Sequence, residues 1–233
     1  MVNRRIFLSG CAASLALPSL IRAADVPAPV QSSSLYFEPA PHQKLMLDFM
    51  SQPHEPGEVR ILNLPPRSGK TAMLGERFNR AALEQNTLYM THWPRSVNSQ
   101  LFKVAKDYRS FGAALTGNRY DVVAIEDPVG MSMHRSEKVR ERRLEAVARY
   151  LPNVLNRLAR DGLLILVESR EDMDDATGWL LANKGDRPLS QLVIPAVVNG
   201  ASFFPDWYSM KDLDFLRRGF PHRIWQTNYM QQV

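Results

Sequence analysis

Val59-Arg60-Ile61-Leu62-Asn63-Leu64-Pro65-Pro66-Arg67-Ser68-Gly69-Lys70-Thr71 is the stretch whose reading decides the fold. Its first six residues are a mostly apolar run of strand length, and the next seven predict a phosphate-binding loop. Such a loop needs a glycine where backbone must approach phosphate, a lysine to reach the β/γ oxygens, and a hydroxyl for Mg²⁺. Gly69, Lys70 and Thr71 supply these, and Ala72-Met73-Leu74-Gly75-Glu76-Arg77-Phe78 continues as a helix whose N-terminal dipole favours an anion. The ligand class is therefore ATP or GTP, and the chemistry is phosphoanhydride hydrolysis or transfer. The loop departs from the full G-x-x-x-x-G-K-[ST] pattern, because Leu64 holds the first glycine position.

Phosphoryl chemistry also needs a carboxylate for Mg²⁺ and commonly a second group to orient the attacking water. Asp121-Val122-Val123-Ala124-Ile125-Glu126-Asp127-Pro128 fits that need. Four apolar residues form a buried strand, two acids sit at its C-terminal end where α/β sheets bind ligands, and Pro128 stops it. Glu126 is the expected Mg²⁺-side acid and Asp127 the residue that polarises water. A third strand, Leu163-Leu164-Ile165-Leu166-Val167, ends in Glu168-Ser169-Arg170, polar residues placed to sense a γ-phosphate.

Working outward, hydrophobic periodicity predicts helix 42–51, strand 58–64, helix 70–84, strand 87–91, helix 95–109, strand 121–126, helix 136–160, strand 163–168, helix 172–183 and strand 191–195. Two short helices, 209–218 and 221–230, follow. Strands alternating with helices imply an α/β domain with a mostly parallel sheet and helices on both faces.

Five stretches carry a resemblance to the ATPase domain of tailed-bacteriophage terminase large subunits. Pro41-His42-Gln43-Lys44-Leu45 resembles the segment whose glutamine reads adenine. Leu64-Pro65-Pro66-Arg67-Ser68-Gly69-Lys70-Thr71 resembles the family's deviant phosphate loop, which also lacks the first glycine and carries an arginine. Leu115–Pro128 resembles the Walker B region, and Ser169–Leu180 the coupling motif with the acidic helix start after it. Ile194-Pro195-Ala196, Phe203-Phe204-Pro205 and Tyr229-Met230-Gln231-Gln232 resemble the end of the domain.

The resemblance implies a RecA-like (ASCE) P-loop ATPase that hydrolyses ATP with Mg²⁺ and drives double-stranded DNA into a procapsid. It implies a homo-oligomeric ring, a portal protein and a small terminase subunit as partners, and the host cytoplasm as location. The implied ATP site comprises Gln43, Pro66, Arg67, Ser68, Gly69, Lys70 and Thr71, with Thr71 and Glu126 on Mg²⁺. Asp127, Glu126, Arg67 and Lys70 serve the reaction, and Ser169 and Arg170 couple it to movement. Arg67 either contacts the γ-phosphate or makes an ion pair with Glu126 or Asp127. Arg135, Arg140 and Arg143 are candidates to complete a neighbour's site in the ring.

The chain also departs from the family pattern. Glu126 stands where aspartate is usual, and Glu171 where tryptophan is. The stretch Phe102–Leu115 is short, so a strand or hairpin before Walker B is expected to be missing. Acidic residues of an RNase H-like nuclease are not found, so cutting activity is not expected from these residues.

Residues 1–24 point elsewhere: Arg4-Arg5, a short apolar region and Ala23-Ala24 resemble a twin-arginine export leader. A Pro/Ala/Ser-rich linker over 25–40 follows, leaving 41–233 as the ATPase domain. Export therefore competes with the cytoplasmic reading. Removing 1–24 takes away three arginines and no acid, lowering the net charge from +5 to +2, too little to argue DNA binding.

With 45% hydrophobic and 23% charged residues the chain reads as globular rather than disordered. A single cysteine, Cys11, excludes a disulfide framework. No zinc spacing and no stable membrane span are present. The cations of 136–160 read mainly as a solvated helix face, and the four tryptophans as packing residues. Two rival readings remain: an exported or small-molecule P-loop phosphotransferase, and a non-catalytic truncated terminase relic.

Overall fold

The computed structural model describes residues 38–92, 107–115, 117–128 and 136–233, together with the backbone of 4–7. The apolar runs become strands β2 (Val59–Asn63), β3 (Thr87–Thr91), β5 (Tyr120–Glu126), β6 (Leu158–Glu168) and β7 (Leu189–Val193). Arg4–Phe7 forms β1 and Asp107–Ser110 forms β4. Among the described residues the sheet has seven strands in the order β1-β7-β2-β6-β5-β3-β4, every pair parallel. This is an α/β, RecA-like fold.

Strands buried on both faces read as near-continuous apolar runs, and β2 and β3 are buried at every position. One face packs against α1 (Pro41–Ser51) and α2 (Lys70–Glu84) through Met46, Phe49, Met50, Met73, Leu74 and Phe78. The other packs against α3 (Glu137–Arg157) and α4 (Ala176–Asn183) through Val147, Leu151, Val154, Leu155 and Leu180. Helices thus cover both faces, as the alternation predicts.

After β7, Asn199 and Gly200, both with positive φ, close a hairpin between β8 (Val197–Val198) and β9 (Ala201–Ser202). Helix α5 (Met210–Gly219) starts at a capping box of Ser209 and Asp212. A π-helical turn, Trp225–Tyr229, follows, and its Trp225 and Tyr229 pack with Phe204 and Leu213 in a third, smaller apolar cluster.

Two expectations need correction. The helix predicted over 95–109 does not extend through its last residues. Asp107–Ser110 is instead an edge strand beside β3, where Tyr108 packs on Tyr89 with ring centroids 5.1 Å apart. Residues 95–106 lie outside the described residues. That strand lies within the segment before Walker B that the sequence reading takes as shortened. Second, the helix predicted to 160 ends at Arg157, and Leu158 enters β6 opposite Tyr120. Pairing with a neighbouring strand overrides the local preference of Leu158-Ala159-Arg160 for helix.

The leader and linker expected over 1–40 lie outside the described residues except for 4–7 and 38–40. The backbone of Arg4–Phe7 pairs with Ser190–Val193 of β7. Among the described residues no helix is long and apolar enough to cross a membrane.

Candidate functional site

The carboxyl ends of β2, β5 and β6 meet at one edge of the sheet, and β6 lies between the other two. Register places Asn63 beside Glu168 and Glu126 beside Val167, so the loop after β2 and the acids after β5 face each other across the end of β6.

The loop turns through Arg67 (φ 60°) and Gly69 (φ 84°), both in the left-handed region. A Cβ on Gly69 would lie 2.3 Å from the Gln43 amide nitrogen, which would have to move, and the left-handed dihedral is what favours glycine here. Helix α2 begins immediately, and its first intrahelical bond runs from Met73 N to Gly69 O. The amides of Lys70, Thr71 and Ala72 precede that bond and have no acceptor within the helix. A helix N-terminus with free amides and a positive dipole end suits phosphate.

Lys70 is buried. Its ammonium donates to Ser169 Oγ (2.7 Å), Pro65 O (3.2 Å) and Leu64 O (3.5 Å), and lies 4.0 Å from Asp127 Oδ2. Ser169 Oγ in turn donates to Leu64 O at 2.8 Å, while Ser169 N donates to Asp127 Oδ1 at 3.1 Å. The loop, the acid and the end of β6 are therefore one hydrogen-bonded unit centred on Lys70. Leu64, where a first glycine is expected, is fully buried and contributes its carbonyl.

Thr71 Oγ1 donates to Glu126 Oε1, and the Tyr89 phenol donates to Glu126 Oε2. Burial, and then the neighbouring Asp127 carboxylate, push the Glu126 pKa up to about 7 against the opposing bonds from Thr71 and Tyr89 and the Lys70 charge. Asp127 has positive φ, 37°, and its carbonyl accepts from the His92 ring Nδ1. Burial lowers the His92 pKa, which keeps the ring neutral, so it braces the turn as a hydrogen-bond donor rather than as a cation.

Gln43 and His42 sit beneath the loop. Gln43 Oε1 accepts from Ala40 N at 2.9 Å, while its Nε2, packed on Gly69, has no partner. His42 Nε2 bonds Ser68 O at 3.1 Å, leaving Nδ1 unpartnered, and Ser68 Oγ is likewise buried without a partner. Pro66 is half-buried on the outer turn. Arg67 is exposed and makes no ion pair with Glu126 or Asp127 among the described contacts, so that alternative for Arg67 is not what the structure adopts.

Arg170 points away from the loop. Its guanidinium pairs with Asp175 at 2.9 Å and donates to Asp172 O at 3.0 Å. Asp175 also caps α4 by accepting from Gly178 N at 3.0 Å. Gly178 is required there, because a Cβ would come within 1.7 Å of Met173 O. The C-terminal turn fastens onto this segment. Gln231 Oε1 accepts from Arg170 N (3.0 Å), Asn228 Nδ2 donates to Glu171 Oε1 (2.7 Å), and Arg223 reaches Asp172 (2.5 Å).

Arg140 pairs with Asp172 at 2.6 Å within the same chain. Arg135 lies outside the described residues. Of the tryptophans, Trp179 and Trp225 pack in apolar clusters as expected. Trp207 is 49% exposed beside His42, and Trp93 lies outside the described residues.

The donor set fits a Mg²⁺–nucleotide. Mg²⁺ prefers hard oxygens and takes one or two protein ligands plus phosphates, and Thr71 and Glu126 supply a hydroxyl and a carboxylate already in contact. Among the described residues no group of three or more His, Cys, Asp or Glu forms a metal cage of its own.

Sequence reasoning missed Tyr89 as a partner of Glu126 and His92 as a partner of the Asp127 carbonyl. Their only signal was position near the end of the strand that pairs with β5, which needed the strand order to be read. Compared with protein-family models the chain matches none. A comparison with curated proteins finds no match either.

Proposed function

We propose that the chain is a P-loop ATPase domain whose hydrolysis of ATP drives movement of double-stranded DNA, as in a terminase large subunit. The observation that carries the nucleotide reading is the convergence of Lys70, Thr71, Glu126, Asp127 and Ser169 at one sheet edge, against free amides of a helix N-terminus. The DNA-packaging part rests on the five-stretch resemblance.

In this reading Lys70 leaves its loop carbonyls for the β/γ-phosphates, and the amides of Lys70, Thr71 and Ala72 hold the phosphate chain. Thr71 and Glu126 hold Mg²⁺, which when bound neutralises charge developing on the phosphates. Asp127, half-buried and fixed by Ser169 N, orients and polarises water. Arg67, exposed at the loop tip, is free to reach the γ-phosphate. Catalysis comes from positioning and charge neutralisation. Ser169 contacts Lys70, and the amide of its neighbour Arg170 donates to Gln231, so a change at the phosphate would be felt at Gln231 beyond the π-helical turn.

The test is ATP hydrolysis by the full chain with and without duplex DNA, beside Lys70→Ala and Asp127→Asn. DNA-stimulated turnover lost in both variants supports the motor reading. Turnover indifferent to DNA favours a phosphotransferase, and binding without turnover favours a relic.

A further inference from the structure

We propose that Tyr89 is a positioning residue for the metal-binding carboxylate, made necessary by the extra methylene of Glu126. This rests on the Mg²⁺–nucleotide reading above.

In register, Tyr89 lies opposite Ala124 and Thr91 opposite Glu126. Side chains at i and i+2 of a strand share a face, so Tyr89, Ala124 and Glu126 lie on the face covered by α2. The phenol ring is fully buried, wedged edge-on against Phe78 of α2 at 6.0 Å and tilted on Tyr108 of β4 at 5.1 Å. Held on both sides, it extends along the sheet to its C-terminal edge, and its hydroxyl donates to Glu126 Oε2. Thr71 takes the other oxygen, Oε1. The carboxylate is 2% exposed and so is fixed by two hydroxyls from two different elements.

The physical need is specific. Glutamate has one more rotatable bond than aspartate, and an unrestrained extra torsion spreads the carboxylate over several staggered positions. Mg²⁺ tolerates little departure from octahedral geometry. Thr71 cannot be the only restraint, because it is itself an expected Mg²⁺ ligand. A rigid aromatic donor behind the acid keeps it aimed while Thr71 turns to the metal.

The test measures binding of a fluorescent ATP analogue to the full chain, in EDTA and across a Mg²⁺ titration, with thermal melts alongside. Tyr89→Phe keeps the ring and removes the donor. Losing a hydrogen bond to a charged group predicts a roughly ten- to hundredfold higher Mg²⁺ requirement for tight binding, with EDTA binding unchanged. Glu126→Asp removes the extra torsion, so adding Tyr89→Phe to it should change the Mg²⁺ requirement no further. Comparing Tyr89→Phe in the two backgrounds keeps the test decisive if the substitution melts early, because lost folding acts in both. Parental Mg²⁺ dependence in Tyr89→Phe overturns the proposal, as does equal weakening with and without Mg²⁺, or the same loss from Tyr89→Phe in the Glu126→Asp background. A parent protein that binds no nucleotide overturns the underlying reading and this proposal with it.

Discussion

Lys70 is the residue on which the site turns. Its ammonium is the shared partner of the loop carbonyls, Ser169 and Asp127. Lys70→Ala should therefore abolish measurable nucleotide binding in a fluorescence titration, while Asp127→Asn should bind normally and lose roughly 10²- to 10⁴-fold in turnover, the range for a positioned proton acceptor. These residues were legible because backbone, amine and hydroxyl chemistry dictates their spacing in one contiguous segment. Tyr89 and His92 were not, because nothing local to Thr87-Leu88-Tyr89-Met90-Thr91-His92 says which strand will lie beside it. Gln43 was expected, by resemblance, to read adenine; in the structure its oxygen accepts from the Ala40 amide and its nitrogen lies on Gly69.

At the scale of elements, the segment after β6 is held by a buried ion pair that also starts a helix. Asp175 is fully buried and accepts from Arg170, from the amides of Glu171 and Asp172, and from Gly178. Asp175→Ala should cost about 3–5 kcal/mol in urea unfolding, because Arg170 stays buried without its partner. Asp175→Asn should cost less, because it keeps the cap.

Glu168 beside it gives a pH signature. Burial first, and then the Asp175 carboxylate, raise its pKa well above the usual value against the bond from the Thr177 amide. A raised folded-state value means the native protein holds the proton more tightly than the unfolded chain. The contribution is fully present below the ordinary glutamate value, about 4.3, and is lost as pH rises towards the folded value. Urea midpoints at pH 5 and pH 8 should fall for the parent relative to Glu168→Gln as pH rises. Element types were largely readable from apolar runs. Boundaries failed where a partner strand decided them, at Asp107–Ser110 and at Leu158.

At the scale of the molecule, alternation of strand and helix made the parallel sheet and its two covered faces readable. Strand order was not. It depends on which way each helical connection crosses, and the apolar runs of β2, β5 and β6 are too alike to say which lies in the middle. Placing β6 between the other two brings Ser169 onto Lys70 and joins the loop to the C-terminal turn through Arg170 and Gln231. A ligand that binds only the folded chain stabilises it by mass action, by about 2.7 kcal/mol at a hundred times Kd. Mg²⁺–ATP should accordingly raise the Tm of the full chain by several degrees and leave that of Lys70→Ala unmoved.

The most direct measurement is a calorimetric titration of the full chain with ATP in Mg²⁺, run in parallel on Lys70→Ala. A single saturable site in the parent that disappears in the variant is the predicted result. No binding by the parent, or equal binding by Lys70→Ala, would contradict the assignment of Gly69-Lys70-Thr71 as a phosphate-binding loop.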